Sequence, residues 1–134
     1  MDYEKYKDLP LDEVIKGYRK DRNRLLGLIF KKAILDEASC DFILSMMLKC
    51  QTGERRLKGD LPRYVRVAHK TGTIGGTVNN AGIIYLPDDL GHVAITVFTK
   101  DTEDETKDIE DIIAQISRFV YDYFYFTTDV GVIE

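Results

Sequence analysis

Lys70-Thr71-Gly72-Thr73 is the stretch in which residue type and spacing could do chemistry. It stands within Val65–Leu86, which reads as a strand, a glycine-rich turn and a second strand. One positive charge, threonine hydroxyls and several backbone N–H groups gather where the first strand ends. These are groups that bind and polarise. A Lys-Thr-Gly tripeptide arises by chance in roughly 3% of chains of this length, so the match is weak by itself. Its context makes it informative: it closes a strand, is followed by a Gly-Gly turn, and precedes the rest of a small sheet.

The other chemistry-bearing residues have plainer explanations. His69 alternates with apolar residues and reads as a strand residue with a satisfied hydrogen bond, while His92 opens a later strand and is expected to be exposed. The acids from Asp101 to Asp111 suit the positive end of a helix better than a metal. Cys40 and Cys50 on one helix would stand about 15 Å apart, beyond the about 7 Å limit for a disulfide. They are also wrongly spaced for zinc, so both are read as buried or half-buried thiols. No cofactor and no metal site is expected.

The elements that must position the stretch follow from periodicity. Pro10 with Leu11-Asp12-Glu13 makes a first helical turn. The apolar residues Val14, Ile15, Tyr18, Leu25, Leu26, Ile29 and Phe30 follow, either on one helix with a charged middle or with a break near Asp21-Arg-Asn23. Asp36-Glu-Ala-Ser opens a second helix with Phe42, Ile43, Met46 and Met47 as its apolar stripe, ended by Gly53. Residues 54–63 form a polar connection. From Val65 the period becomes two, and three runs around Val65–His69, Ala81–Leu86 and His92–Phe98 predict an antiparallel meander. The second and third runs are apolar on both alternations, which requires a sheet covered on both faces. Thr102-Glu-Asp-Glu105 is a predicted capping box. After it, Ile109, Ile112, Ile113, Ile116, Phe119, Val120, Tyr123 and Phe124 predict a long amphipathic helix packed on the sheet. The tail Tyr125–Glu134 is left open between disorder and an added edge strand.

At 134 residues the chain is read as a single domain, 1–134, large enough for a real core. A net charge of −4 gives no case for nucleic acid or a membrane surface. No apolar run approaches the roughly 20 residues of a membrane span. The N-terminus lacks a signal peptide's apolar centre, so the chain is expected to be cytoplasmic or stripped of an export signal.

From about Arg24 to Phe124 the sequence resembles the C-terminal portion of the class A serine β-lactamases, relatives of the penicillin-binding transpeptidases. The residues that carry the resemblance are Cys-Gln-Thr-Gly-Glu-Arg-Arg-Leu ahead of Leu61-Pro62, Val-Ala-His-Lys-Thr-Gly-Thr, and Asn-Asn-Ala-Gly-Ile-Ile-Tyr-Leu-Pro. Lys-Thr-Gly is a recurring signature of these enzymes. The implied fold is α/β (α+β): N-terminal helices, a three-stranded antiparallel meander and a long C-terminal helix packed on the sheet. The resemblance implies that Lys70 and Thr71 bind the carboxylate of a β-lactam or a peptidoglycan-peptide-like ligand. Gly72 is counted with them as substrate-binding, and the N–H of Thr73 serves as one of two oxyanion donors. Asn79 and Asn80 lie where the family often places polar residues.

Three family elements do not occur in this sequence. Ser39, Ser45 and Ser117 are followed by Cys-Asp-Phe, Met-Met-Leu and Arg-Phe-Val, so there is no Ser-x-x-Lys, and Ser-Asp-Asn and the deacylating Glu-x-x-Leu-Asn are absent too. The chain alone is therefore expected to be inactive, with an N-terminal complementing fragment as the partner that would restore activity. A non-catalytic binding or interaction domain is the other reading. In the family the 92–99 strand is interior. Here its edge is expected to be covered by the Val130–Ile133 tail or by a second copy in a homodimer.

Overall fold

The structure, a computed structural model, describes residues 10–128, without the side chains of 11–19. Its elements are helix α1 (Leu11–Phe30), helix α2 (Glu37–Leu48), strands β1 (Val67–Ile74), β2 (Thr77–Tyr85) and β3 (His92–Val97), and helix α3 (Thr106–Thr128). The strands form one antiparallel sheet in the order β1-β2-β3. Gly75 and Gly76 make the β1–β2 turn at φ +23° and +68°, the left-handed backbone that a two-residue hairpin needs. The β2–β3 link closes through Leu86 N–H donating to the Gly91 carbonyl at 2.9 Å.

Ladder register assigns each side chain a face. Val67, His69, Thr71 and Thr73 stand opposite Ile84, Gly82, Asn80 and Val78, and on that face Val67, Val78, Ile84 and Ile95 pack with Ile109, Ile113 and Tyr121 of α3. On the other face Ala81 and Ile83 pack with Leu26 and Ile29 of α1 and with Cys40 and Leu44 of α2. The sheet is covered on both faces, as its doubly apolar strands require.

Several local expectations need correcting. Helix α1 is the continuous one of the two alternatives, running through Asp21-Arg-Asn23, but Pro10 takes its N-cap rather than its first helical position. Val14, Ile15 and Tyr18 lie outside the described side chains. Helix α2 does start at an Asp36 cap, whose carboxylate accepts from Ser39 N–H at 2.9 Å. Its buried residues are Cys40 and Leu44, while Phe42 and Met46 are exposed. It ends at Leu48, so Gly53 does not terminate it. Gly53, at φ +70°, instead sits where a Cβ would come within 2.4 Å of the Thr71 methyl. The expected capping box does not form either, because Thr102 Oγ1 accepts from Asp104 N–H at 3.1 Å and α3 begins only at Thr106.

Helix α3 continues through residues 125–128, which the sequence left with the tail. It packs on the sheet through Ile109, Ile113 and Tyr121 and buries Ala114 and Ser117 against the connection around Leu57 and Gly59, leaving Ile112, Ile116, Phe119 and Tyr123 exposed. The expected stripe was too broad for one interface, and the sheet takes only one side of it. Among the described residues β3 pairs only with β2. The tail expected to cover its edge, residues 130–133, lies outside the described residues.

Candidate active-site wall

Lys70–Thr73 occupy the distal half of β1, and their directions follow from the ladder. Tyr85 N–H donates to the Arg66 carbonyl at 3.0 Å, which makes 66/85 a hydrogen-bonded pair. In an antiparallel ladder such pairs alternate with non-hydrogen-bonded ones. The N–H groups of His69, Thr71 and Thr73 therefore point away from β2, along an edge that no described strand covers. Side chains alternate across the sheet instead: Lys70 shares a face with Ala81, whereas Thr71 and Thr73 share the α3 face.

On the Lys70 side is a cavity of about 250 Å³ lined by Lys70, Thr71 and Gly72 with Arg22, Asn79 and Phe98 among others. Lys70 is exposed, and its Nζ donates to the Thr71 carbonyl. The Thr71 hydroxyl shares a 2.7 Å hydrogen bond with that of Thr52.

From the opposite face the strand is held by Arg56, which reading the sequence assigned to a polar connection. Only 5% of Arg56 is exposed. Its Nη2 donates to Thr73 Oγ1 at 2.6 Å, Nη1 to the carbonyls of Asn79 at 2.9 Å and Gly72 at 3.4 Å, and Nε to Glu110 Oε1 at 3.0 Å. One guanidinium thus ties β1, β2 and α3 together at the level of Gly72-Thr73. The planar fork of arginine suits this role, and a lysine could not reproduce it. Nothing in Glu54-Arg55-Arg56-Leu57 separates a buried arginine from an exposed one. Its neighbour Arg55 is in fact half exposed, pairing with Asp111 at 2.6 Å.

The two asparagines are structural. Asn79 Oδ1 accepts from Thr99 N–H at 2.8 Å, and Asn80, fully buried, lies 3.2–3.3 Å from His69 Nδ1. His69 is buried as well, with Nε2 unpaired. Burial pushes the His69 imidazole below its usual pKa, more than the Asn80 hydrogen bond raises it. Below pH about 6.5 the unfolded chain takes up a proton that the folded chain refuses until a lower pH. Stability is therefore expected to fall as pH drops from about 6.5. His92, also lowered by burial, adds a slope of the same sign. Urea unfolding at several pH values should show a shallower slope for His69→Gln than for the unmodified chain. Equal slopes would refute the assignment.

None of the three serines serves Lys70. The hydroxyl of Ser39 donates to Asp36 at 2.7 Å, that of Ser45 to the Phe42 carbonyl at 2.8 Å, and that of buried Ser117 to the Leu57 carbonyl at 2.7 Å. The arrangement places one cationic side chain and outward backbone N–H groups along the same strand edge. It holds no activated nucleophile among the described residues.

Comparison with known proteins gives the family and the fold. A model of the β-lactamase enzyme family matches residues 19–124. The chain is 36% identical over 100 residues to β-lactamase VEB-1 of Pseudomonas aeruginosa, covering 70% of this chain and 33% of that protein. It is 38% identical over 110 residues to the extended-spectrum β-lactamase PER-1 of the same organism, covering 78% and 35%. The crystal structure of TLA-3 extended-spectrum β-lactamase superposes with a TM-score of 0.77 at 38% identity, over 80% of this chain and 41% of that one. The structure of PBP-A superposes at 0.67 with 32% identity, over 78% and 38%. The chain thus spans about a third of these curated relatives and about two fifths of the solved ones. By the family match over residues 19–124 and the superposition of its described helices and antiparallel meander on solved relatives, the chain belongs to the β-lactamase enzyme family.

Proposed function

We propose that this chain is the ligand-binding wall of a β-lactamase-like serine hydrolase site, inert until another segment supplies the nucleophile. The observation that carries the reading is the free edge of β1, with Lys70 beside it, the N–H groups of Thr71 and Thr73 pointing outward, and Arg56 fixing the strand from behind. In this reading the Lys70 ammonium and Thr71 hydroxyl hold the carboxylate of a β-lactam, or of a peptidoglycan-like peptide, as charge-assisted hydrogen bonds. The Thr73 N–H faces the oxygen that gains charge as the amide carbon becomes tetrahedral. An extended ligand lies along the edge as an added strand. Acylation itself needs a serine and a base that accepts its proton. Those belong to the partner in this reading, a polypeptide bearing Ser-x-x-Lys and Ser-Asp-Asn.

The test mixes the chain with such a polypeptide and follows nitrocefin hydrolysis. Turnover is expected in the mixture and in neither component alone, with a loss of at least about tenfold for Lys70→Ala, as expected when one charged ligand contact is removed. A mixture that associates but stays inert would refute the hydrolase reading. The engagement of all three serine hydroxyls away from Lys70 favours a second reading, a non-catalytic binding domain. That reading requires the chain alone to bind a penicillin by calorimetry and to lose the binding in Lys70→Ala.

A further inference from the structure

Both arms of the Thr71 side chain are held by one loop. The hydroxyl shares the 2.7 Å hydrogen bond with Thr52, and the methyl lies so close over Gly53 that a Cβ on that glycine would clash with it. Oxygen and carbon fixed on one Cβ leave a β-branched side chain a single χ1 well. The same loop carries Arg56, whose N–H donates to the Gly53 carbonyl at 2.9 Å. It therefore grips β1 at two successive positions of one face, Thr52 on Thr71 and Arg56 on Thr73. The two grips differ in kind. Arg56 is buried and Thr52 is exposed, where water replaces a hydroxyl partner at little cost. The Thr52 contact is thus nearly neutral for folding, and its consequence lies in what it does to the Thr71 hydroxyl.

A hydroxyl has one proton to donate and two lone pairs that accept, so a single proton lies between Thr52 and Thr71. Supplied by Thr71, it leaves that residue only lone pairs to offer a ligand. Supplied by Thr52, it leaves the Thr71 proton free for an anion. Among the described residues the other partner of Thr52 Oγ1 is the Cys50 thiol at 3.5 Å. Sulfur accepts weakly, so it competes poorly for the Thr52 proton, and its S–H can donate to a Thr52 lone pair. The chain of donors then runs one way, from Cys50 through Thr52 to Thr71. Extending the binding-wall reading proposed above, on which it rests, we infer that Thr52 is a positioning residue: it donates to Thr71 and so makes the Thr71 hydroxyl a donor that favours a carboxylate over its uncharged ester. A charged acceptor at the end of such a chain polarises each bond behind it. An ester carbonyl gains about half as much from the same donor.

The test titrates benzylpenicillin and its methyl ester into the full chain by calorimetry, both alone and mixed with the Ser-x-x-Lys polypeptide carrying alanine for its serine, so that nothing turns over. Thr52→Val keeps the shape and removes the donor. It should weaken binding of the acid about fivefold, one hydrogen bond's worth, and of the ester about twofold or less, with urea unfolding unchanged. Thr52→Ser keeps the hydroxyl and should bind like the unmodified chain. Equal losses for acid and ester, or a Thr52→Ser as weak as Thr52→Val, would reduce Thr52 to loop packing. Tighter binding of the acid by Thr52→Val would mean that Thr71 is the donor. Each result overturns the inference, as would three-bond couplings showing the Thr71 methyl averaged over several rotamers in the ligand-free chain. Lys70→Ala separates this inference from the reading beneath it. If Lys70→Ala loses the acid while Thr52→Val does not, the inference alone fails. If nothing binds, or Lys70→Ala binds as well as the unmodified chain, the binding wall fails and the inference with it.

Discussion

Replacing Arg56 with alanine is expected to destabilise the fold by about 3–5 kcal/mol, the range for breaking a buried ion pair from one side. The side chains of Arg56 and Glu110 are only 6% and 16% exposed. Removing the guanidinium strands the Glu110 carboxylate and leaves the carbonyls of Gly72 and Asn79 and the hydroxyl of Thr73 without this donor. Typical domains have only about 5–15 kcal/mol of stability in total, so the variant should unfold at much lower urea. Glu110→Gln combined with Arg56→Ala removes the stranded charge and should recover part of the loss, but not the part due to the strand carbonyls. A single variant as stable as the unmodified chain would show that Arg56 does not anchor β1.

Gly82→Ala is expected to cost about 3 kcal/mol, at the upper end for overpacking. Gly82 pairs with His69 in the middle of the sheet, at a non-hydrogen-bonded position where the strands approach closely. A Cβ there would lie 2.6 Å from the Ala68 carbonyl oxygen and 2.7 Å from the His69 Cβ. The oxygen belongs to the backbone of the strand that presents Lys70 and Thr71, so relief means shifting that strand. The loss should appear in urea unfolding. Gly75→Ala is the contrast, since nothing lies within 4 Å of its Cβ position and only its φ of +23° opposes the change. If both variants lost equal stability, backbone conformation rather than strand approach would be the cause.

These two residues also mark what the sequence could and could not reveal. The meander was legible because alternation over Val65–His69, Ala81–Leu86 and His92–Phe98 is a local pattern, and the Gly75-Gly76 turn punctuates it. Lys70 to Thr73 were legible because a short motif lay at a strand end. Arg56 was not, because burial of an arginine depends on Glu110, 54 residues away, and on carbonyls contributed by two strands. The apolar stripes failed for a related reason. On α2 and α3 the apolar residues cover more than one face, and periodicity alone does not say which face the sheet selects. Phe42 and Met46 belong to the apolar stripe of α2 yet are exposed, and Ile112, Ile116, Phe119 and Tyr123 of α3 are exposed as well.

The family assignment and the activity rest on different foundations. The first comes from a match over residues 19–124 and from superposition on solved relatives. The second depends on a nucleophile that faces Lys70, and the hydroxyls of Ser39, Ser45 and Ser117 are all engaged elsewhere. Acylation needs a nucleophile and a base that accepts its proton.

The most direct test is nitrocefin hydrolysis by the purified 134-residue chain alone, followed to long times at high protein concentration. The expected rate is indistinguishable from buffer and from Lys70→Ala. Hydrolysis that scales with the concentration of the chain and disappears in Lys70→Ala would contradict it, because a nucleophile would then have to lie within this sequence.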